Sequence, residues 1–171
     1  EIRHRTGLQA AVPRPASGLS VSDAAAAAER LRTLKVFGDR EIVGAAMKSI
    51  LTSDARERLL TCAEEAGRGR ILCFSRWTGD FGDPPDWHRN PVNGARWKQG
   101  VHWSLALRDE ARAGDVKLAW EIGRFPQAYH LARAAAVAPE RREEFARIFR
   151  AHVEGFLEQN PESLGVHWAS G

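Results

Sequence analysis

Flat aromatic rings, arginines and histidines are concentrated in residues 87–124. Sugars present apolar CH faces beside hydroxyl groups, so their sites combine flat aromatics with fixed hydrogen-bonding groups, and acidic sugars add a need for Arg or His. This mixture predicts a site for an acidic glycan. The candidate substrate-binding residues here are Trp87, Arg89, Arg96, Trp97, His102, Trp120, Glu121 and Arg124. In the alternative interpretation, the Trp rings pin an irregular loop to the helices and the Arg side chains are solvated.

The composition narrows the class of protein. The chain has 171 residues, of which 43% are hydrophobic and 27% charged, which is typical of a folded globular domain or part of a larger one. The net charge of +3 is too small to predict nucleic-acid binding. No apolar run approaches the roughly 18 residues that a membrane helix needs, so no membrane span is predicted.

Metal and disulfide chemistry are not predicted either. Cys62 and Cys73 lie outside any CxxC or His-rich context, so both are interpreted as free thiols. His88 and His102 have no acidic partner at the spacing of metal ligands. The sequence therefore predicts neither a metal site nor a cofactor.

Helices are predicted in the part of the chain that precedes residue 70. Residues 1–20 lack periodicity and contain many Ala, Pro, Gly and Ser residues, which is typical of a flexible lead-in. Helices are expected over residues 22–35 and 53–66, each opened by a Ser-Asp pair that can cap it. Another follows residue 39, where apolar residues recur on one face: Ile42, Val43, Ala46, Met47 and Ile50.

From residue 70 onwards the sequence predicts a short strand, a long loop and further helices. Residues 70–77 are the one strand candidate. Residues 78–100 are too rich in Gly, Pro, Asn and Asp for regular structure, and we expect Trp87 and Trp97 to order this loop by packing against the helices. Further helices are predicted over residues 101–113, over 116–138 in one or two pieces around Pro126, and over 139–157. The fold class is therefore mainly α, with antiparallel α-hairpins and at most one short strand.

Several short motifs follow one another between residues 67 and 171. They are DWHRNPVNGARW, then GDVKLAWEIGRF, then a helix with LARA, then FLEQNPESLGVHWASG. Together they resemble the N-terminal helical region of the heparinase II/III family of polysaccharide lyases. The family pattern is Asp-Trp-His-x-Asp-Pro with a later Arg-Trp, then Asp-Val-Lys and Trp-Glu-x-x-Arg, then Asn-Pro and Gly-x-Asn-Trp.

The resemblance implies a fold and a context. Residues 21–171 would form the N-terminal part of an incomplete (α/α) toroid, which in the family is followed by a β-sandwich domain. The chain starts with Glu1 and stops at Gly171 just after a Trp-containing turn. We therefore expect a piece of a longer protein, whose remaining toroid helices and β-sandwich would be its partners within the same chain. A periplasmic or secreted location is favoured by the resemblance.

The resemblance also implies a reaction. Family members bind an anionic, uronate-containing polysaccharide in the toroid groove and cleave it by β-elimination. An Asn neutralises the uronate carboxylate, while Tyr and His residues further along the chain act as base and acid. We therefore expect one wall of the glycan groove here, with Trp168 as a further sugar contact, and no lyase activity from these residues alone.

Two departures from the family pattern affect the assignment. His167 occupies the position of the neutralising Asn; an imidazole can donate to a carboxylate, so His167 is the candidate catalytic residue, with a packed structural histidine as the alternative. Asn90 replaces the family Asp before Pro91, which removes a charge but keeps the turn. The alternative function is a non-catalytic carbohydrate-binding or scaffold domain in exopolysaccharide assembly, which the His in place of Asn favours.

Overall fold

The computed structural model describes residues 26, 29, 30 and 40–170. The chain divides into two units, residues 1–46 and 47–171, and the second carries every predicted site residue. The lead-in predicted for residues 1–20 lies outside the described residues. So does the helix predicted for residues 22–35, except that residues 26, 29 and 30 are helical. The prediction that one domain begins at residue 21 stays a prediction.

The described part is mainly helical, which confirms the predicted class. Its α-helices are α1 (Arg40–Ile50), α2 (Ser53–Gly67), α3 (Trp103–Ala106), α4 (Glu110–Ala113), α5 (Lys117–Gly123), α6 (Pro126–Val137) and α7 (Arg142–Gln159). Short 3₁₀ turns cover Leu107–Asp109, Pro139–Arg141 and Val166–Ser170. We call the last of these the C-terminal turn.

Local sequence explains several helix ends. The N-cap of α2 is Thr52 rather than Ser53, because the Thr52 hydroxyl accepts a hydrogen bond from the Ala55 amide at 3.2 Å. The predicted break near Pro126 separates α5 from α6, since Pro favours the first turn of a helix. α7 has acidic residues in its first turn, and it ends at Gln159, before Asn160 and Pro161 and two residues beyond the predicted end at residue 157.

The expectation of at most one strand is wrong. Strand β1 (Arg70–Cys73) pairs antiparallel with a second strand, β2 (Trp77–Asp80), and Cys73 lies opposite Trp77. The chain reverses because Phe74 and Ser75 adopt left-handed φ values of 50° and 55° and the Arg76 amide bonds to the Cys73 carbonyl at 3.0 Å. Neither residue is the Gly or Asn that usually signals such a turn. For this reason the sequence predicted one longer strand over residues 70–77.

Helices α6 and α7 form an antiparallel α-hairpin. Gln127 at the start of α6 contacts His152 in the second half of α7, while Leu131, Ala134 and Ala138 share a buried cluster with Phe145 near the start of α7. Ala63 of α2 joins the same cluster, so three helices pack on one core.

Two further clusters lie around the loop that follows β2. One contains Ile71, Cys73, Phe81, Trp87 and Ile122. It therefore joins the β-hairpin of β1 and β2 to α5. The other contains Trp97, Ala106, Ala113, Val116, Ala119 and Val166. Burial of these apolar surfaces is the main term that fixes the irregular segment against the helices.

Candidate functional site

Residues 81–100, the Trp-His loop, are held in place by Trp87. Its ring is fully buried and packs against Phe125 at 5.1 Å and Phe156 at 5.2 Å between ring centroids. Its backbone amide donates to the Gln159 side chain at 3.3 Å. Trp97 is also buried, at 2% exposure, which confirms that the two rings order this loop.

Asn90 fixes the turn inside the Trp-His loop. Its Oδ1 accepts the Val92 amide at 2.8 Å, and its Nδ2 donates to the Ala113 carbonyl at 2.8 Å. The second bond requires an amide, because a carboxylate has no hydrogen to donate. Asn90 therefore keeps the predicted turn and links it to the end of α4.

The Trp-Glu-x-x-Arg motif lies on α5 and its C-terminal cap. Trp120 Nε1 donates to the Val166 carbonyl at 2.8 Å, which ties α5 to the C-terminal turn. Glu121 Oε1 accepts the Phe74 amide at 2.7 Å, which ties α5 to the β-hairpin. Arg124 approaches Glu121 Oε2 at 3.5 Å, yet its side chain is 65% exposed.

His167 lies between the C-terminal turn and the Trp-His loop. Its Nε2 donates to the Trp87 carbonyl at 2.7 Å, and its ring packs at 5.3 Å on Phe156 and at 5.5 Å on His88. The expectation that this ring is free to donate to a carboxylate arriving from solvent is wrong, because the Nε2 proton is already donated to a backbone oxygen. Its role in catalysis stays a prediction.

Burial keeps the two neighbouring histidines neutral. It lowers the pKa of His167 to about 4. The bond to the Trp87 carbonyl raises this pKa by a smaller amount, whereas His88 lowers it further. The pKa of His88 is also lowered, mainly by burial. His88 Nε2 donates to the Gln159 carbonyl at 3.1 Å, so both rings use their Nε2 protons on backbone oxygens.

Three of the predicted sugar contacts are core residues in this structure. Trp87 and Trp97 are buried, and Glu121 is 8% exposed with an oxygen bonded to the Phe74 amide. Their predicted role in binding substrate is therefore corrected to holding the site together. The interpretation that these Trp rings pin the loop is the one that their burial supports.

Other predicted residues already have partners within the protein. Arg96 forms an ion pair with Asp86 at 2.7 Å, and its carbonyl accepts a hydrogen bond from Arg112 at 2.5 Å. His102 caps α3, with Nδ1 at 2.8 Å from the Ser104 hydroxyl. Arg89 is the exception in this group. It is half-buried, and its Nε lacks a hydrogen-bond partner among the described residues.

The remaining predicted contacts do reach the surface. Arg124 and Arg96 expose 65% and 61% of their side chains, and Trp168 is 41% exposed while its Nε1 donates to the Asn160 carbonyl at 3.3 Å. Trp120 is half-buried. The structure thus offers a guanidinium and an indole on the two elements that meet here, α5 and the C-terminal turn.

Sequence reasoning missed the residues that anchor the Trp-His loop to the end of α7. Gln159 binds the amide of Trp87 and the ring of His88, and its Nε2 donates to the Pro85 carbonyl at 3.4 Å. Gly165 and Gly123 leave room for the rings of His88 and His167. The only sequence signal for these roles is the placement of polar residues directly at a helix end.

Gly123 supports a prediction about close packing. A Cβ at this helical position would lie 2.5 Å from His167 Nδ1, whereas a Cβ at helical Gly155 would be 3.5 Å from its nearest neighbour, Trp87 Nε1. The His167 ring is held by its backbone bond and cannot simply swing away. We expect Gly123→Ala to lower the free energy of unfolding by about 1–3 kcal/mol, although Ala favours helices.

Gly155→Ala is the matched control for that substitution. It makes ordinary contact only, so we expect it to be neutral or stabilising by up to about 1 kcal/mol. Urea unfolding followed by circular dichroism measures both changes. Equal stabilities of the two variants would contradict the proposed fit of His167 against α5.

The chain was also compared with known proteins. No protein-family profile, no curated protein and no solved structure matches it. Within the described residues, no group of three or more His, Cys, Asp or Glu side chains is placed to hold a metal ion. No helix in that part of the chain has both the length and the apolar character needed to cross a membrane.

Proposed function

We propose that this chain is the N-terminal helical part of a heparinase II/III-like lyase that binds a uronate-containing polysaccharide and cleaves it by β-elimination. In this proposal the α6–α7 hairpin is one unit of an (α/α) toroid. The C-terminal turn and α5 form part of one wall of the glycan groove. Further helices and a β-sandwich domain would supply the base, the acid and the rest of the groove.

The convergence of the motifs carries this proposal. His167 of the last motif bonds to Trp87 of the first, and Trp120 of the middle motif bonds to Val166 beside His167. The backbone amide of Trp97, in the Arg-Trp pair, donates to the His88 carbonyl at 2.9 Å. Motifs up to 80 positions apart thus form one connected unit, as expected if the family pattern describes a single site.

The exposed groups of this unit have the chemistry for an acidic sugar. The Arg124 guanidinium presents a fork of N–H donors that matches a carboxylate, and the exposed face of Trp168 offers a flat apolar surface for a sugar ring. The partly exposed Arg124–Glu121 pair is weak at 3.5 Å. Arg124 is therefore available to bind a uronate carboxylate.

In the proposed reaction this part of the protein binds and orients. β-Elimination removes the proton at C5 of the uronate, and the negative charge that develops spreads into the carboxylate. A cation held beside the carboxylate stabilises that charge, and Arg124 is the exposed cation that α5 places here. The base and acid steps are assigned to the further part of the protein.

Binding of a uronate oligosaccharide to the 171-residue chain tests the site. We expect Arg124→Gln and Trp168→Ala each to weaken binding about 10-fold, since each removes a charge-assisted bond or a stacking surface. Arg150→Gln and Tyr129→Ala are matched controls, because Arg150 is exposed on α7, Tyr129 is exposed on α6 and neither belongs to a motif. Isothermal titration calorimetry measures the affinities.

The reaction is tested separately. The protein extended to the end of its reading frame is incubated with a panel of uronate polymers, and the absorbance of the unsaturated product is followed. Product formation supports the lyase. Binding that depends on Arg124 without product would instead support the second candidate, a non-catalytic glycan-binding domain. No binding, or equal loss in the control variants, would refute the glycan site.

The second candidate is favoured by one observation. The His167 ring uses its Nε2 proton on the Trp87 carbonyl and is neutral above its pKa of about 4. It therefore offers neither a free donor nor a charge to a carboxylate near neutral pH. A protein that has exchanged the neutralising amide for such a ring fits glycan binding without cleavage, as in exopolysaccharide assembly.

A further inference from the structure

One surface depression has a lining that includes no residue of α5 or of the C-terminal turn. It has a volume of about 360 Å³ and is formed between α7, residues 83–85 of the Trp-His loop and the end of α2. We call it the Arg147 pocket. Its volume is at the small end of the range for ligand sites, which corresponds to one sugar-sized molecule.

The polar groups of the Arg147 pocket differ in what they offer a ligand. Arg147 provides a cation and Asp83 a carboxylate, and both are exposed. His152 also lines the pocket, although it is only 4% exposed. Proline rings and the side chains of Ile148 and Ala151 supply the apolar part of the lining.

The hydrogen bonding of His152 determines what its ring presents. Gln127 Nε2 lies 3.5 Å from His152 Nδ1, and in this orientation of the Gln127 amide its N–H donates and Nδ1 accepts. The ring is neutral, because burial lowers its pKa while the Asp83 carboxylate acts in the opposite direction. A neutral ring that accepts at Nδ1 carries its proton on Nε2, which leaves an N–H donor for a ligand.

Arg147 is not ion-paired with Glu144, the acidic residue one turn before it on α7, in the described part of the chain, although, after Arg141, its charge helps to lower the pKa of that carboxyl. Glu144 accepts hydrogen bonds from Arg141 at 2.7 and 2.8 Å, and Arg141 also binds Glu64 of α2 at 2.5 Å. No ion pair to Arg147 is found within the described part of the chain. Its guanidinium is therefore available to an anionic group.

We propose that the Arg147 pocket binds a small hydroxycarboxylate such as a sugar acid, with its carboxylate on Arg147 and His152, a hydroxyl on Asp83 and its CH face on Ile148. Two donors suit the carboxylate. The Asp83 carboxylate accepts hydrogen bonds only, so the ligand must also carry a donor. The inference goes beyond the proposed function, since it concerns a different surface and a free monomer.

Titration of the 171-residue chain with glucuronate tests the proposal. We expect dissociation constants on the order of millimolar, as for a small ligand in an open pocket, and a shift of the His152 ring signals in the NMR spectrum. Glucose lacks the carboxylate and acetate lacks the hydroxyl, so both should bind at least about 10-fold more weakly. Equal binding of either compound would overturn the assigned ligand class.

Variants at two arginines of α7 locate the binding. Arg147→Gln should weaken glucuronate binding about 10-fold or more, while Arg150→Gln, at an exposed position of the same helix outside the pocket, should leave it unchanged. An unchanged affinity in Arg147→Gln, or His152 signals that do not move, would overturn the pocket. Arg124→Gln should have no effect here, so failure of this site is distinguishable from failure of the proposed glycan groove.

Discussion

Trp87→Ala is expected to lower the free energy of unfolding by about 3–5 kcal/mol. The ring is fully buried and contacts Phe125, Phe156 and His152. Its removal leaves a cavity between the Trp-His loop, α7 and Phe125, the residue before α6. Because these contacts order the loop, we also expect faster amide hydrogen exchange at residues 81–100.

Trp168→Ala is the matched control for that prediction. The Trp168 ring is 41% exposed and makes one long hydrogen bond, 3.3 Å to the Asn160 carbonyl, so its loss should cost about 1 kcal/mol or less. Urea unfolding followed by circular dichroism avoids a readout that depends on Trp fluorescence. Similar losses in the two variants would contradict the assignment of Trp87 to the core.

Acidification is expected to destabilise the protein through His167. Its pKa is lowered from 6.5 to about 4 in the folded state, so between these two values the unfolded chain binds more protons than the folded chain. The stabilisation is fully present above pH 6.5 and is lost as the pH falls from 6.5 towards 4. A shift of this size corresponds to about 3 kcal/mol.

The variant His167→Gln isolates this effect. Glutamine keeps an N–H donor for the Trp87 carbonyl but does not titrate, so its unfolding free energy should fall much less between pH 7 and about pH 4.5. Acidic and histidine groups remote from this ring titrate equally in both proteins and cancel in the comparison, whereas His88, 5.5 Å away between ring centroids, is a neighbour whose titration the variant changes. Parallel pH profiles for wild type and variant would show that the folded ring is not held neutral.

The catalytic prediction for His167 is tested with the same residue. If His167 neutralises the substrate carboxylate, His167→Ala in the extended protein should lower the turnover number by a factor on the order of 100. If it is a positioning residue that holds the Trp87 carbonyl, the melting temperature should fall while turnover per folded molecule is unchanged. The latter result would retire the catalytic assignment.

The local pattern of the sequence determined most of the helical structure. The periodic apolar stripe and acidic first turn of α7 (Arg142–Gln159) depend on residues three or four positions apart, as does the break before Pro126. The density of Gly, Pro and Asn likewise predicted an irregular segment, and its aromatic content predicted that the segment is ordered. The β2 strand was missed because its turn, at Phe74 and Ser75, lacks the usual residues.

Only the tertiary structure decided what each functional candidate contacts. Trp87 and Trp168 are the same residue type, and the sequence predicted a sugar contact for both. One is fully buried, whereas the other is 41% exposed. The partner of His167 is a backbone oxygen 80 positions away, and that of Glu121 is a backbone amide 47 positions away. The exposure and protonation of a side chain depend on such remote neighbours, because they set its desolvation and its hydrogen bonds, and periodicity along the chain carries no record of them.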